Sequence, residues 1–280
     1  MTDNRAIGVF DSGIGGLTVL REIWNAVPGE STVYFGDNSR APYGTKSRST
    51  VIRYSLQNMR FLESKDVKMI VVACNTASAY AYEALKAGAK VPVVEVVTPG
   101  ADKACRTTGN GKIGIIATKA TISTGVYKDA VERRAGELGM KNIEIFQQAC
   151  PLFVSLAEEG WWDTEVTRLT AEEYLKPLKD AGVDTLVMAC THYPLLSKVI
   201  GEVMGEKVTL VNTGEATASV VKELLGSEGI ASGENGNDPV REFYTSDEPE
   251  LFEKVAAPFL GEGLPSGTRH FTTDRYEVTV

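Results

Sequence analysis

The sequence predicts an α/β protein of two similar domains, each a central parallel sheet flanked by helices, related by a pseudo-twofold axis, with the active site in the cleft between them. Three observations carry this reading. Residues 69–79 read MIVVACNTASA and residues 185–195 read TLVMACTHYPL, each an apolar run ending Ala-Cys followed by a polar pair. Neither run alternates, which marks a strand buried on both faces of a parallel sheet. Such runs are separated by amphipathic segments of helical length, the pattern of βαβ units.

In chain order, strands are predicted at 7–10 (IGVF), 33–36 (VYFG), 69–73 (MIVVA) and 93–97 (VVEVV). Their counterparts lie at 113–117 (IGIIA), 143–146 (IEIF), 185–189 (TLVMA) and 208–211 (VTLV). Helices are predicted at 17–26, 46–63, 76–87, 124–138, 164–181 and 215–225. The repeat steps by 106 residues from position 7 to 113 and by 116 from Cys74 to Cys190, so the halves have diverged through loop insertions. The Pro99-Gly100 break closes a first domain at 1–98 and opens a second at 99–211. Gly226 to Pro239 is rich in Gly, Ser and Asn and reads as an exposed loop. Residues 262–280 carry no pattern that assigns a structure.

A chain of 280 residues, 43% apolar, is long enough for one large core or two smaller ones. Its net charge of −8, with no basic block, argues against nucleic acid or an anionic membrane as partner. The N-terminal MTDNRAIGVF does not resemble a signal peptide, and no apolar stretch reaches the roughly 18 residues of a membrane span. Four cysteines without C-x-x-C or Cys/His ligand spacing predict free thiols in a reduced, cytoplasmic protein with no metal site.

The candidate chemistry sits at strand ends. Asp11-Ser12-Gly13-Ile14-Gly15-Gly16 links a strand to a helix, where glycines admit a ligand and helix N–H groups attract anions. It is neither G-x-G-x-x-G nor a phosphate-binding P-loop, and a plain tight turn explains its glycines equally well. The matching segment of the second half, Thr118-Lys119-Ala120-Thr121, offers two hydroxyls that either bind a carboxylate or cap a helix. Cys105 and Cys150 read as small core residues. Cys74 and Cys190 read as functional, because the repeat places the same residue at the same strand end twice. Each is expected to precede a helix N-terminus, which lowers a thiol pKa from its usual ~8.5. His192, two residues after Cys190, suits a proton-relay or thiolate-stabilising partner, whereas His270 in the tail has no such neighbour. Pro42-Tyr43-Gly44 is first of all a turn signal.

Six ordered segments carry a resemblance: FDSGIGGLTVL (10–20), GDNSRAPYGTKS (36–47), VACNTASA (72–79), IATKATI (116–122), CPLFVSLAEEG (150–160) and MACTHYPLL (188–196). Together they are similar to the signatures of the glutamate racemases, in the cofactor-independent aspartate/glutamate racemase superfamily, up to about Gly261. The resemblance implies interconversion of L- and D-glutamate to supply peptidoglycan, without pyridoxal phosphate or metal, in a cytoplasmic homodimer. It implies that residues 212–261 return to the first domain. Cys74 and Cys190 resemble the two catalytic bases, acting on D- and L-glutamate respectively, with Asp11, Glu158 and His192 as supporting acid–base residues. Ser12, Tyr43, Gly44, Asn75, Thr76, Thr118, Thr121 and Thr191 resemble the substrate contacts, together with Asp11 and His192. Ser155 and Ala157 depart from the more usual Pro and Val, leaving the register of Glu158 against Glu159 open. Asn38, Ser39 and Ala41 depart from Thr, Ala and Val. Three other readings stand beside this one: a racemase for aspartate or another amino acid, a two-domain binding protein, and a thiol redox enzyme. The DSGIGG and APYG segments favour glutamate, the paired cysteines disfavour mere binding, and the lack of C-x-x-C disfavours redox chemistry.

Overall fold

The computed structural model describes residues 2–233, 238–261 and 263–278. The first half builds strands β1 (Ile7–Asp11), β2 (Thr32–Gly36), β3 (Met69–Val72) and β4 (Val93–Glu95), with helices α1 (Leu17–Ala26), α2 (Arg48–Glu63) and α3 (Asn75–Gly88) between them. Helix α4 (Val97–Thr107) then leads into β5 (Lys112–Ala117), α5 (Lys119–Thr124), α6 (Val126–Glu137) and β6 (Glu144–Ala149). Next come α7 (Leu152–Glu158), α8 (Glu165–Ala181), β7 (Thr185–Ala189), α9 (Ser197–Met204) and β8 (Thr209–Asn212). The chain ends with α10 (Thr213–Ser227), β9 (Arg241–Thr245), α11 (Pro249–Leu260) and β10 (Thr268–His270).

Two sheets result, one ordered β10-β9-β2-β1-β3-β4 and the other β6-β5-β7-β8, and every strand pairing is parallel. The order β2-β1-β3-β4 repeats as β6-β5-β7-β8, so the duplication in sequence is a duplication in topology. In each sheet the chain leaves its first strand to one side and returns on the other. The ends of β1 and β3, and of β5 and β7, therefore flank a crevice of the kind where open α/β sheets bind ligands.

Unalternating strands are buried on both faces, as the sequence predicts. Ile7, Val9, Met69 and Val71 pack into one core, and Phe10, Ile70 and Val72 into the core on the opposite face. The second sheet is sandwiched in the same way by two further clusters, one holding Ile116, Leu186 and Met188 and the other Ile113, Ile115 and Val187. Ala218, Val221 and Leu225 of α10 join the core of the first sheet with Leu17 and Leu20 of α1. Val97, Ala101 and Ala104 of α4 join that of the second.

Several elements differ from the sequence reading. The strand expected over 93–97 ends at Glu95, and α4 takes up Val97. The helix expected from 46 starts at Arg48, because Ser47 caps it by accepting from the Thr50 N–H. The loop expected over 226–239 starts late, since α10 runs to Ser227, and its residues 234–237 lie outside the described residues. The tail contains β10, parallel to β9, and a 3-10 turn over Thr273–Arg275.

Candidate active site

The crevices of the two sheets face each other across one cavity of about 310 Å³. Of the residues singled out from sequence, Ser12, Tyr43, Gly44, Cys74, Asn75, Thr76, Thr118, Cys190, Thr191 and His192 line it. Asp11, Glu158 and Thr121 stand behind that lining, Asp11 linked to His192 and Cys74 by charge, Glu158 to His192 and Thr121 to Thr76 by hydrogen bonds. Pro42, Thr45, Lys119, Pro151, Val154 and Ser155 also line the cavity, and sequence reasoning gave them no role. All six lie in or beside segments already singled out, so their neighbourhood was legible even where their part was not.

Contacts between the halves form the walls. Thr18 of α1 donates to the Thr191 carbonyl, 2.8 Å. The hydroxyls of Thr76, Thr118 and Thr121 form a triangle of 3.1–3.2 Å edges, one corner from the first half and two from the second. Thr118 also caps α5 by accepting from the Thr121 N–H, so the capping reading of its hydroxyl holds, and the same residue lines the cavity. The Tyr127 hydroxyl donates to Asn75 Oδ1. Phe259 meets the His192 ring edge-on, centroids 5.6 Å apart.

The glycine-rich loop behaves differently from the expectation that its glycines admit a ligand. A Cβ on Gly15 would lie 2.3 Å from Thr191 Oγ1, and one on Gly16 would lie 2.4 Å from Asp11 Cβ. These glycines admit the protein's own side chains. Only Ser12 of this loop lines the cavity.

Cys74 lies two residues beyond β3 and caps α3, accepting from the Ala77 N–H at 3.4 Å while its thiol faces Ser12 Oγ at 3.5 Å. The expected lowering of its pKa does not occur. Burial pushes the Cys74 thiol up to about 12, and the nearby Asp11 carboxylate pushes the same way, outweighing the helix N-terminus. Cys190 departs from expectation in another way. It is followed by a 3-10 turn over Tyr193–Leu196, so no α-helix starts at its side chain. What it has is His192, with Nδ1 3.8 Å from the sulfur. His192 Nε2 lies 2.9 Å from Glu158 Oε1, so Glu158 is the glutamate that meets the histidine. Burial alone would pull the His192 pKa down, but Cys190 and Glu158 override it and raise it to about 10. Asp11 is fully buried, and burial holds its carboxyl above the usual range despite the pull of His192 and backbone N–H groups.

Tyr43 lines the cavity, but its hydroxyl donates to Asp37 and accepts from Asn58 Nδ2 at 3.0 Å. Cys105 and Cys150 are buried in the core, as their sequence reading expects. No cluster of three or more His, Cys, Asp or Glu side chains arranged to hold a metal occurs among the described residues. No helix among them is long and apolar enough to cross a membrane.

The chain is similar to known proteins over most of its length. The family model described as Asp/Glu/hydantoin racemase matches residues 7–221. A glutamate racemase of Geobacter metallireducens is 52% identical, over 93% of this chain and 94% of its own. A solved glutamate racemase isoform from Bacillus anthracis gives a TM-score of 0.90 at 36% identity, covering 96% of this chain and 98% of its own. The glutamate racemase of Francisella tularensis, solved in complex with D-glutamate, gives 0.89 at 35% identity, covering 98% of this chain and 100% of its own. With two repeated crevices closed onto one cavity and likeness of this extent, the chain belongs to the Asp/Glu/hydantoin racemase family, among its glutamate racemases, and is an amino-acid racemase.

Proposed function

We propose that this racemase interconverts L- and D-glutamate, with Cys74 and Cys190 as opposed acid and base on the two faces of Cα. The observation that supports this best is that the two thiols stand at equivalent strand ends of the two sheets and open onto one cavity. Racemisation removes a proton from one face of a carbon and returns one to the other, so a base and an acid must flank that carbon. In the L-to-D direction the Cys190 thiolate takes the Cα proton and becomes a thiol. The Cys74 thiol then gives its proton to the opposite face and becomes the thiolate. The reverse direction exchanges the roles.

The electrostatics favour an unequal pair. An imidazolium on His192, held by Glu158, stabilises negative charge at the Cys190 sulfur. Cys74, raised to about 12, starts as the proton donor. A substrate ammonium arriving beside Cys74 and Asp11 would add positive charge that offsets the Asp11 carboxylate. Charge that develops on the α-carboxylate needs donors in a water-poor cleft, and Asn75, Thr76, Thr118 and Thr191 are suited to that role, with Thr121 supporting Thr76 and Thr118 from behind. Ser12, Tyr43 and Gly44 complete the proposed substrate contacts.

The same reading takes the enzyme to need neither metal nor pyridoxal phosphate, to act as a cytoplasmic homodimer, and to supply D-glutamate for peptidoglycan and so for cell shape. Its domains are taken as 1–98 with 212–261, and 99–211. Incubation with D- or L-glutamate in heavy water tests the function: the Cα–H resonance of either enantiomer should disappear. Retention of both signals with active exchange of aspartate instead would redirect the assignment to that substrate.

A further inference from the structure

We infer that Tyr127 is a positioning residue for the reaction: its hydroxyl fixes the Asn75 amide so that the NH2 end faces the cavity as a donor to a substrate carboxylate. This rests on the proposed glutamate racemisation and assigns a residue that the reaction scheme leaves unused.

An asparagine side chain has two ends of nearly the same shape and opposite hydrogen-bonding sense, so its partner decides which end faces a ligand. Asn75 is the first residue of α3, is buried, and lines the cavity. Its Oδ1 accepts from the Tyr127 hydroxyl, and its buried Nδ2 has no hydrogen-bond partner among the described residues. A buried donor without an acceptor is costly and calls for an explanation. A carboxylate bound in the cavity supplies the acceptor.

The direction of the Tyr127–Asn75 bond follows from what surrounds the tyrosine. Its ring is fixed in the core of the second sheet, among Ala117, Ala189 and Val211. Burial, with Glu95 and Cys190 nearby, keeps the hydroxyl protonated. Within hydrogen-bond distance among the described residues its proton has one acceptor, Asn75 Oδ1, while Thr213, also beside the hydroxyl, acts on it as a donor. The amide oxygen therefore turns toward Tyr127 and the NH2 toward the cavity. Because Tyr127 belongs to α6 and Asn75 to α3, this donor is set only when the two halves are docked.

The consequence separates Tyr127 from the thiols. Both enantiomers present the same α-carboxylate, while they differ in the face that carries the proton. Loss of the Tyr127 hydroxyl should therefore affect D- and L-glutamate alike. The wild-type enzyme is first assayed on both enantiomers, which tests the function itself. Tyr127→Phe, Asn75→Ala and the double variant are then compared for kcat and KM in each direction, with thermal unfolding measured alongside. A hydrogen bond to a charged group predicts that Tyr127→Phe lowers kcat/KM about tenfold or more for both enantiomers. In the Asn75→Ala background it should then lower it no further. Unchanged kcat/KM in Tyr127→Phe, a loss confined to one enantiomer, or full additivity with Asn75→Ala would overturn the assignment. Should Tyr127→Phe not fold, Asn75→Asp asks the same question with the tyrosine intact. It keeps an acceptor for Tyr127 but replaces the cavity-facing donor by an oxygen. Its kcat/KM should fall at least about tenfold at neutral pH, and wild-type kcat/KM would overturn the proposal.

Discussion

Gly15 illustrates what a single position controls. Its missing side chain lets Thr191 and His192 approach the first half, and a methyl there would stand 2.6 Å from the imidazole. Overpacking of this kind costs about 1–3 kcal/mol. Gly15→Ala should therefore lower the urea midpoint and reduce kcat/KM, because the histidine beside Cys190 has to move. Wild-type stability together with wild-type activity would contradict that account. His192 makes a pH prediction. Its folded-state pKa of about 10 lies above the ordinary 6.5, so its stabilising contribution is complete below pH 6.5 and is lost as pH rises through 10. The stability difference between wild type and His192→Asn should thus shrink between pH 6.5 and 10 in denaturant titrations. A difference independent of pH would remove the His192–Glu158 pairing from the explanation. The residue types of the site were legible because six short segments carry them in order. The protonation of Cys74 was not: a strand-end thiol before a helix suggests a lowered pKa, and only its burial beside Asp11 reverses the sign.

Among elements, the strands that a parallel sheet buries on both faces were the easiest to read, since such strands are mostly apolar. β9 and β10 were missed for the opposite reason. Arg241-Glu242 opens β9, and β10 is three residues at an open edge, half-buried or exposed, so neither has an apolar run. Helix α7 is only seven residues long, too short for periodicity to declare itself. The tail nonetheless braces the site. Arg40 binds the carboxylate of buried Asp37, reaches Thr273 and Asp274 of the tail, and covers the Tyr54 ring. Asp37 in turn receives the Tyr43 hydroxyl. Removing one partner of such a buried pair leaves an uncompensated charge, at a cost of about 3–5 kcal/mol. Arg40→Ala should lose stability of that order in urea unfolding and raise the KM for glutamate through the loosened Tyr43 loop. A loss below about 0.5 kcal/mol would place Arg40 among ordinary surface residues.

At the scale of the molecule, the sequence repeat foretold two similar sheets with the thiols at matching strand ends, and the structure adds that their strand order matches. It did not foretell how the halves lock together. The contacts from Thr18 to Thr191, Thr76 to Thr118 and Tyr127 to Asn75 join residues 42 to 173 positions apart, and no local pattern encodes such pairs. The repeat is also imperfect where chemistry differs: His192 accompanies one cysteine, and a helix cap with Asp11 behind it accompanies the other. Two unequal bases on opposite walls are the central claim, and hydrogen–deuterium exchange at Cα in the two single variants tests it most directly. A serine hydroxyl is a far poorer base than a thiolate at neutral pH. Cys74→Ser should still exchange the proton of L-glutamate through Cys190 while losing exchange of D-glutamate, and Cys190→Ser should do the reverse, both racemising very slowly. A variant with full racemase activity, or two variants that treat the enantiomers alike, would contradict the opposed pair.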